Sequence, residues 1–308
     1  MAILLFILSL GLVIQMIKPI LPMIKPSFET INSIADNSFL VREFKEESFS
    51  APYHFHPEYE LTLIINGCGK RYVGTHMADY FTDDLVLLGS NVAHCWKTEN
   101  ALPGKNSNSV VIQFQPNFLG AGFFDKPEMK SIFELLNKSN YGIQFMGDIS
   151  SFKNKMITIL NEDIGFKKVI LLLEILYALA DNNNYRLLNT HDLYAQLPLP
   201  EKERINAVTA YIVDNFREKI SLGNAAAAAN MSPHGFCKYF KKTNRKTFIA
   251  AVTDYRINFA RQELVHTNKP INQICFESGF NDHAHFYKTF KKRLKISPLN
   301  YRRSFNKN

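Results

Sequence analysis

Two segments in the last third of the chain carry nearly the same seven residues. Residues 236–242 read FCKYFKK and residues 286–292 read FYKTFKK, with five of the seven positions identical. Capping residues precede each copy, Ser232-Pro233 the first and Asn281-Asp282 the second. The phenylalanines of each copy are four residues apart, so they share one helix face while the lysines fall on another. The repeat therefore predicts two basic helices, each with a buried phenylalanine stripe.

A second short helix is predicted immediately before each basic helix. The first copy follows SLGNAAAAA (221–229) and Asn230, and the second copy follows PINQICFES (270–278) and Gly279. Asparagine and glycine tolerate the positive φ of a tight turn. A short helix, a tight turn and a second helix with a basic face form the helix-turn-helix pattern, whose second helix enters the DNA major groove. The sequence therefore predicts two such units in tandem.

Charge is distributed unevenly along the 308 residues. Residues 201–308 have 20 Lys and Arg against 8 Asp and Glu, a net charge of +12, whereas residues 1–200 have a net charge of −4. This asymmetry is expected of a polyanion-binding domain joined to a different domain. The four cysteines form no closely spaced set, which is typical of a protein of the reducing cytosol.

Residues 205–303 resemble the tandem helix-turn-helix domain of AraC-type transcriptional regulators. The residues that carry the resemblance are Ser221-Leu222, Ser232-Pro233, Phe240-Lys241-Lys242, Tyr255-Arg256, Ala260, Leu264, Pro270-Ile271, Ile274, Gly279-Phe280, Phe286, Phe290-Lys291-Lys292, Ser297-Pro298 and Tyr301-Arg302. The resemblance implies a homodimer that binds double-stranded DNA, and contacts RNA polymerase if it is an activator. Residues 225–229 are all alanine where that family has some larger aliphatic residues, which predicts a looser first unit.

Residues 39–114 read as short strands separated by turn residues, which favours a barrel or a sandwich. The predicted strands include 59–66, 70–75, 84–88 and 109–115. After Pro116 the periodicity becomes helical, with predicted helices at 127–138, 149–161 and 167–181. The apolar stripe 169–179 could be ordinary core or a dimer face.

The strand region contains four potential metal ligands: His54, His56, Glu60 and His94. His54, His56 and Glu60 alternate along a strand and would point into a barrel, where three imidazoles and a carboxylate could enclose Zn, Mn or Fe. The segment resembles the cupin sensor domain of many AraC-type regulators. A bound metal, the polar lining of an effector pocket and purely structural histidines all remain open. Tyr72 and Trp96 would add walls suited to a sugar or an aromatic effector.

The predicted fold class is multidomain α+β, with an N-terminal cupin-like β-barrel, following helices and a C-terminal all-α tandem helix-turn-helix domain. The predicted boundaries are 1–22 for an apolar extension, 23–125 for the sensor barrel, 126–185 for a helical dimerisation region, 186–202 for a linker and 203–308 for the DNA-binding domain.

Candidate DNA contacts are the exposed residues of the two basic helices. The candidates for reading base edges are Ser232, His234, Lys238, His283, His285 and Lys288. The candidates for phosphate contacts are Lys241, Lys242, Arg245, Lys291, Lys292 and Arg293. The candidates for an effector pocket are His54, His56, Glu60, Tyr72, His94 and Trp96.

The sequence therefore predicts a cytoplasmic, effector-responsive transcription regulator that is not an enzyme and needs no resident cofactor. One alternative is a metal-dependent cupin enzyme fused to a DNA-binding module. The apolar run Met1–Met16 adds another, a regulator anchored in the membrane by residues 1–17. Two further interpretations of this run are a signal peptide and sequence upstream of the true start, for which Met23 is the candidate. We favour the interpretation that the true start is at Met23.

Overall fold

The computed structural model describes residues 27–28, 38–98, 106–189 and 197–305. The predictions for residues 1–22 lie outside these residues. The described strands are β1 (Ser27–Phe28), β2 (Phe39–Glu46), β3 (His54–Phe55), β4 (Tyr59–Asn66), β5 (Gly69–Val73), β6 (His76–Tyr80), β7 (Leu85–Leu88), β8 (His94–Lys97), β9 (Ser107–Phe114), β10 (Ile143–Phe145) and β11 (Tyr185–Leu187). The described α-helices are α1 (Lys130–Lys138), α2 (Ser150–Asn161), α3 (Gly165–Asp181), α4 (Leu199–Asn215), α5 (Leu222–Ala228), α6 (Pro233–Asn244), α7 (Phe248–His266), α8 (Ile271–Glu277), α9 (His283–Leu294) and α10 (Pro298–Phe305).

The strands form two sheets in the N-terminal part of the fold, which is mixed α/β. The C-terminal part is helical. Sheet A has the order β1-β3-β8-β5-β6, and sheet B has the order β11-β10-β7-β4-β9-β2. Ile64 of sheet B packs with Val73 and Trp96 of sheet A, which brings the inner faces of the sheets together. The two hydrogen-bonded ladders stay separate across the described residues. The predicted cupin-like barrel is therefore not closed among the described strands, which form an open two-sheet sandwich.

The outer face of sheet B is covered by helices α1, α2 and α3. Leu61 and Leu63 alternate with inward-facing residues of β4 and pack against Leu172, Ile175 and Leu176 of α3. Sheet B also takes two short strands, β10 and β11, from the region predicted to be helical. The sandwich therefore extends through residue 187, beyond the boundary expected at residue 125.

The outer face of sheet A packs directly on the C-terminal helices. Phe55 and Tyr72 of this sheet share one hydrophobic core with Val208 of α4, Phe236 of α6 and Tyr255 of α7. Sheet A therefore joins the two-sheet sandwich to the helices that carry the basic residues. Among the described helices, none has both the length and the apolar character needed to cross a membrane.

Candidate functional site

The first helix pair consists of α5 and α6 joined by a short turn. Ser221 caps α5 by accepting a hydrogen bond from the backbone N–H of Asn224 (3.3 Å), and Ser232 caps α6 by accepting one from Gly235 (3.3 Å). Asn230 lies in the turn with a φ of +53°. These local signals end α5 and start α6 at the positions where the sequence predicts them.

The second helix pair, α8 and α9, repeats the arrangement with a turn that is one residue longer. Asp282 caps α9 by accepting a hydrogen bond from the backbone N–H of His285 (2.6 Å). Gly279 lies in the turn with a φ of +82°. A Cβ on Gly279 would lie 2.6 Å from the backbone oxygen of Phe216, so this position requires glycine.

The apolar faces of α6 and α9 are buried, as the repeat predicts. Phe236, Phe240, Phe286 and Phe290 are each at most 3% exposed. Their burial turns the opposite face of each helix toward solvent, because residues between the phenylalanines point away from the core. The two basic helices therefore present matching surfaces.

The six candidate base-reading residues divide by environment. His234, Lys238, His285 and Lys288 have exposed side chains. The hydroxyl of Ser232 is engaged in capping α6. His283 is half-buried, with its ring centroid 4.8 Å from that of Phe276. Ser232 is exposed as well, but its hydroxyl is already engaged, so the other four exposed residues are the better placed to reach a ligand without rearrangement.

Five of the six candidate phosphate residues are exposed side chains without an ion pair to any described residue. These are Lys241, Lys242, Arg245, Lys291 and Lys292. Arg293 instead forms an ion pair with Asp254 (2.9 Å). A phosphate contact by Arg293 would have to compete with that carboxylate.

A cavity of about 130 Å³ opens between the two sheets. Of the six residues predicted to form an effector pocket, His54, Glu60 and Trp96 line it. Tyr72 is not among the lining residues, because it alternates with the inward-facing Val73 and therefore points toward the C-terminal helices. His56 and His94 are not among the lining residues either, so the effector pocket stays a prediction for these three residues. Sequence reasoning missed the polar lining residues Thr62, Ser109 and Gln113, which carry no motif.

His54, His56, Glu60 and His94 form one cluster at this cavity. Their potential ligand atoms all lie within 4.8 Å of one another. His54 and His94 are opposite each other on β3 and β8, with ring centroids 4.4 Å apart. His56 lies 3.0 Å from Glu60 through its Nε2 atom. The spacing along the chain therefore brings together the four residues that the sequence singles out.

Backbone carbonyls fix the orientation of two of the imidazoles. His54 Nδ1 is 2.8 Å from the carbonyl oxygen of Pro52, and His94 Nδ1 is 2.7 Å from that of Val92. A carbonyl oxygen only accepts hydrogen bonds, so both Nδ1 atoms donate, and each Nε2 atom carries a lone pair when its imidazole is neutral. His94 Nε2 lies 3.3 Å from Glu60 and has no hydrogen-bond partner among the described residues.

Burial and interactions with neighbouring groups shift the pKa values of this cluster in opposite directions. Burial, reinforced by the nearby His94, lowers the pKa of His54 to about 4. Burial also opposes the charge of His56, but the hydrogen bonds that His56 donates to Glu58 and Glu60 outweigh burial and raise the pKa of His56 to about 9. The carboxyl of Glu60 is buried too, yet His94 and His56 hold its pKa well below the usual range. The cluster therefore favours a charged His56 beside an ionised Glu60.

Comparisons with known proteins agree with the helix pairs. A family model described as a helix-turn-helix domain matches residues 225–304. YdeC, an uncharacterised HTH-type transcriptional regulator of Bacillus subtilis, is 23% identical over 257 residues, which are 82% of this chain and 86% of YdeC. RhaS, an HTH-type transcriptional activator of Mannheimia succiniciproducens, is 23% identical over 259 residues, which are 82% of this chain and 89% of RhaS.

These matches define the class, because the chain has the helix-turn-helix domain of a DNA-binding transcriptional regulator. The match to a helix-turn-helix domain at residues 225–304 agrees with the resemblance found in the sequence. A solved AraC-type regulator from Chromobacterium violaceum is 24% identical and superimposes with a TM-score of 0.33 over 36% of this chain and 98% of its own.

Proposed function

We propose that both helix pairs bind DNA and that α6 and α9 read successive major grooves. The observation that supports this best is the matched surface of the two helices. Each has a capped N-terminus, a buried phenylalanine stripe and an exposed opposite face with a lysine at the same place, Lys238 or Lys288. Helices that enter grooves one turn apart are about 34 Å apart along the duplex.

We expect the two classes of basic residue to respond differently to substitution. Lys288 is in the second turn of α9, where a side chain can donate to guanine O6 and N7. Lys291 is in the last turn and is a phosphate candidate. Lys288→Ala should cost about 1–3 kcal/mol and relax preference at one base position. Lys291→Ala should weaken binding to all sequences and reduce the salt slope by about one.

Fluorescence anisotropy with a cognate and a random duplex, each at several salt concentrations, separates these effects. Lys126→Gln removes one exposed charge outside the helix pairs and serves as the control. If Lys288→Ala weakens both duplexes equally, Lys288 is a phosphate contact and the proposed base reading is wrong.

We propose that a small effector occupies the cavity between the sheets and regulates DNA binding. Cavities of about 150 Å³ hold a benzene-sized molecule, so this cavity of about 130 Å³ suits a small compound. Phe44, Phe49 and Trp96 supply apolar walls, while Glu60 and Gln113 supply a polar end. This mixture suits a small polar compound with an apolar face, for which a sugar is one candidate.

The double substitution His56→Ala with His94→Ala tests this part of the proposal. Both residues contact Glu60, so their loss should leave the polar end of the cavity incorrectly oriented. A reporter gene should then lose its response to inducing conditions while circular dichroism still reports a folded protein. A response that survives in the folded variant would place sensing elsewhere.

A divalent metal is a second candidate occupant, favoured by the orientation of the imidazoles. Metal-binding histidines usually donate their other ring N–H to a carbonyl or carboxylate, as His54 and His94 do here. His54, His56, Glu60 and His94 would hold the metal, which would act as a Lewis acid. Their separations of up to 4.8 Å exceed the roughly 3.4 Å edge of a tetrahedral zinc site, so the side chains would have to close. Metal content of the purified protein, with Glu60→Gln as the control, tests this.

The direct contact of sheet A with α7 supports a short route from effector to DNA. Tyr53 and Tyr255 both donate their hydroxyls to the backbone oxygen of Gly74, at 2.9 and 3.0 Å. Buried Lys70 pairs with Asp79 of sheet A and lies 3.5 Å from Glu263 of α7. An effector that shifts sheet A would also shift α7, the helix that connects the two helix pairs. The effector would then change the populations of two placements of the helix pairs. Helices α1, α2 and α3 pack on the opposite side and need not carry this signal.

Dimerisation through α3 and a cytoplasmic location complete the proposal. Leu172, Ile175 and Leu176 of α3 are buried, while Phe166 and Tyr177 are 74% and 60% exposed. The buried face of α3 therefore supports the interpretation of the stripe 169–179 as ordinary core. The exposed face of α3 supports its interpretation as a dimer face. A cytoplasmic location follows from the need to reach DNA, and contact with RNA polymerase applies if the regulator activates transcription.

A further inference from the structure

A second and larger cavity, of about 470 Å³, lies between the sheets and the C-terminal helices. One wall is formed by β6, β10 and β11, and the other by α7 and α10. It shares no described lining residue with the cavity inside the sandwich. Its volume is within the range of about 300–1,000 Å³ that is usual for small-molecule sites. We call this space the interdomain cleft.

Two arginines reach the interdomain cleft from opposite walls. Arg186 of β11 donates through Nε to the side-chain oxygen of Gln144 (2.7 Å). Arg261 of α7 donates to the hydroxyl of Tyr301 (3.1 Å) and to Asn258 (3.3 Å). Both arginines use neutral acceptors, and neither forms an ion pair with any residue that the structure describes. A guanidinium has five N–H donors, so each retains donors for a further acceptor.

The acidic group in the cleft is already engaged elsewhere. Asp79 is the one carboxylate among the described lining residues. One of its oxygens pairs with Lys70 (2.5 Å), and the other lies 3.3 Å from His266. The cleft therefore retains an excess of positive charge from Arg186 and Arg261.

His76 adds an unsatisfied polar atom on the same wall as Arg186. Its Nδ1 atom is buried and has no hydrogen-bond partner among the described residues. Burial, together with the charges of Arg71, Arg186 and Arg261, lowers the pKa of His76 to about 3, so the imidazole is neutral. A buried polar atom of this kind gains stability when a ligand satisfies it.

We propose that the interdomain cleft binds a small organic anion, whose carboxylate or phosphate lies between Arg186 and Arg261 and whose apolar body contacts Met77, Phe81 and Phe305. Arginine forks suit both acidic groups, because each offers paired oxygens to parallel N–H donors. The three apolar side chains line the same cleft. Such a ligand bridges the sandwich and the helices of the DNA-binding region.

Calorimetric titration of the full chain with benzoate, phenyl phosphate and neutral benzamide tests the site. At least one of the two anions should bind saturably at one molecule per chain, and the tighter one identifies the preferred acidic group. Arg186→Gln and Arg261→Gln should each weaken that binding about tenfold or more, because each removes charge-assisted hydrogen bonds. Lys126→Gln makes the same change of charge at an exposed residue outside the cleft and should bind as the unmodified chain does.

The unmodified protein supplies a second measurement that does not depend on folded variants. Saturating benzoate or phenyl phosphate should shift the imidazole NMR signals of His76, and benzamide should not. The proposal is overturned if neither anion binds saturably, if benzamide binds as well as the anions, or if the folded arginine variants retain full affinity.

Discussion

At the scale of single residues, His76 shows how a buried imidazole links stability to pH. Its pKa is about 3 in the folded protein, because of burial and nearby arginines, against about 6.5 in an unfolded chain. The unfolded state therefore binds the proton more tightly. Stability is fully present above about pH 7 and declines as pH falls from 6.5 toward 3.

We predict that the unmodified chain and His76→Gln differ in how strongly their unfolding free energy depends on pH. Between pH 7.5 and pH 5 the unmodified chain should lose about 2 kcal/mol more unfolding free energy than His76→Gln, which cannot take up the proton. Urea denaturation at both pH values measures this. Equal losses in the two proteins would mean that His76 is not held neutral by its surroundings.

Sequence patterns located some site residues and missed others for a simple geometric reason. His54, His56, Glu60 and His94 were predictable, because their spacing is recognisable and strand alternation gives their direction. Tyr72 points away from the cavity, since one residue of register decides which side of a strand a side chain occupies. The interdomain cleft could not be predicted, because its arginines come from elements far apart in the chain.

At the scale of elements, two glycines of the helix pairs differ in whether the fold can accommodate an added side chain. Gly279→Ala would force a Cβ to within 2.6 Å of a backbone oxygen at a φ of +82°. Gly223 of α5 has no atom closer than 3.6 Å to its ideal Cβ and has an ordinary φ. Gly279→Ala should therefore lower the unfolding free energy by about 2 kcal/mol, and Gly223→Ala should raise it by about 0.5–1 kcal/mol. Chemical denaturation measures both, and similar effects would contradict the assigned turn geometry.

Helix α3 leads to a prediction about assembly. Its exposed apolar residues Phe166, Ile170 and Tyr177 are spaced at four and seven positions, the repeat of a helix-pairing seam. Phe166→Lys and Tyr177→Lys should convert a dimer to a monomer in sedimentation experiments. Ile249→Lys, which changes an equally exposed residue of α7, should leave the dimer intact. A monomeric unmodified chain would exclude this interface.

Element boundaries were predictable where the pattern was long. The strand predicted at 59–66 is β4, and the helix predicted at 149–161 differs from α2 by one residue. β10 and β11 have three residues each, too few for alternation to be visible. Their pairing with sheet B depends on contacts between distant segments, which local patterns do not encode.

At the scale of the whole molecule, the layers place the two-sheet sandwich against the C-terminal helices. Helices α1 to α3 cover sheet B, and α4 and α7 contact sheet A, with the smaller cavity between the sheets. The charge asymmetry of the sequence predicts two parts, but it does not predict that they share a core. That shared core makes the full chain, and not a fragment, the appropriate object for measuring DNA binding.

The central claim is that both helix pairs read DNA. The most direct test is to let the full chain select binding sites from a random duplex library. Two recognition helices in successive major grooves should enrich a motif of two short blocks, about one helical turn or 10–10.5 base pairs apart. Lys238→Ala should relax one block and Lys288→Ala the other. An enriched motif with a single block, or no enrichment over random sequence, would contradict the proposal that both helix pairs read DNA.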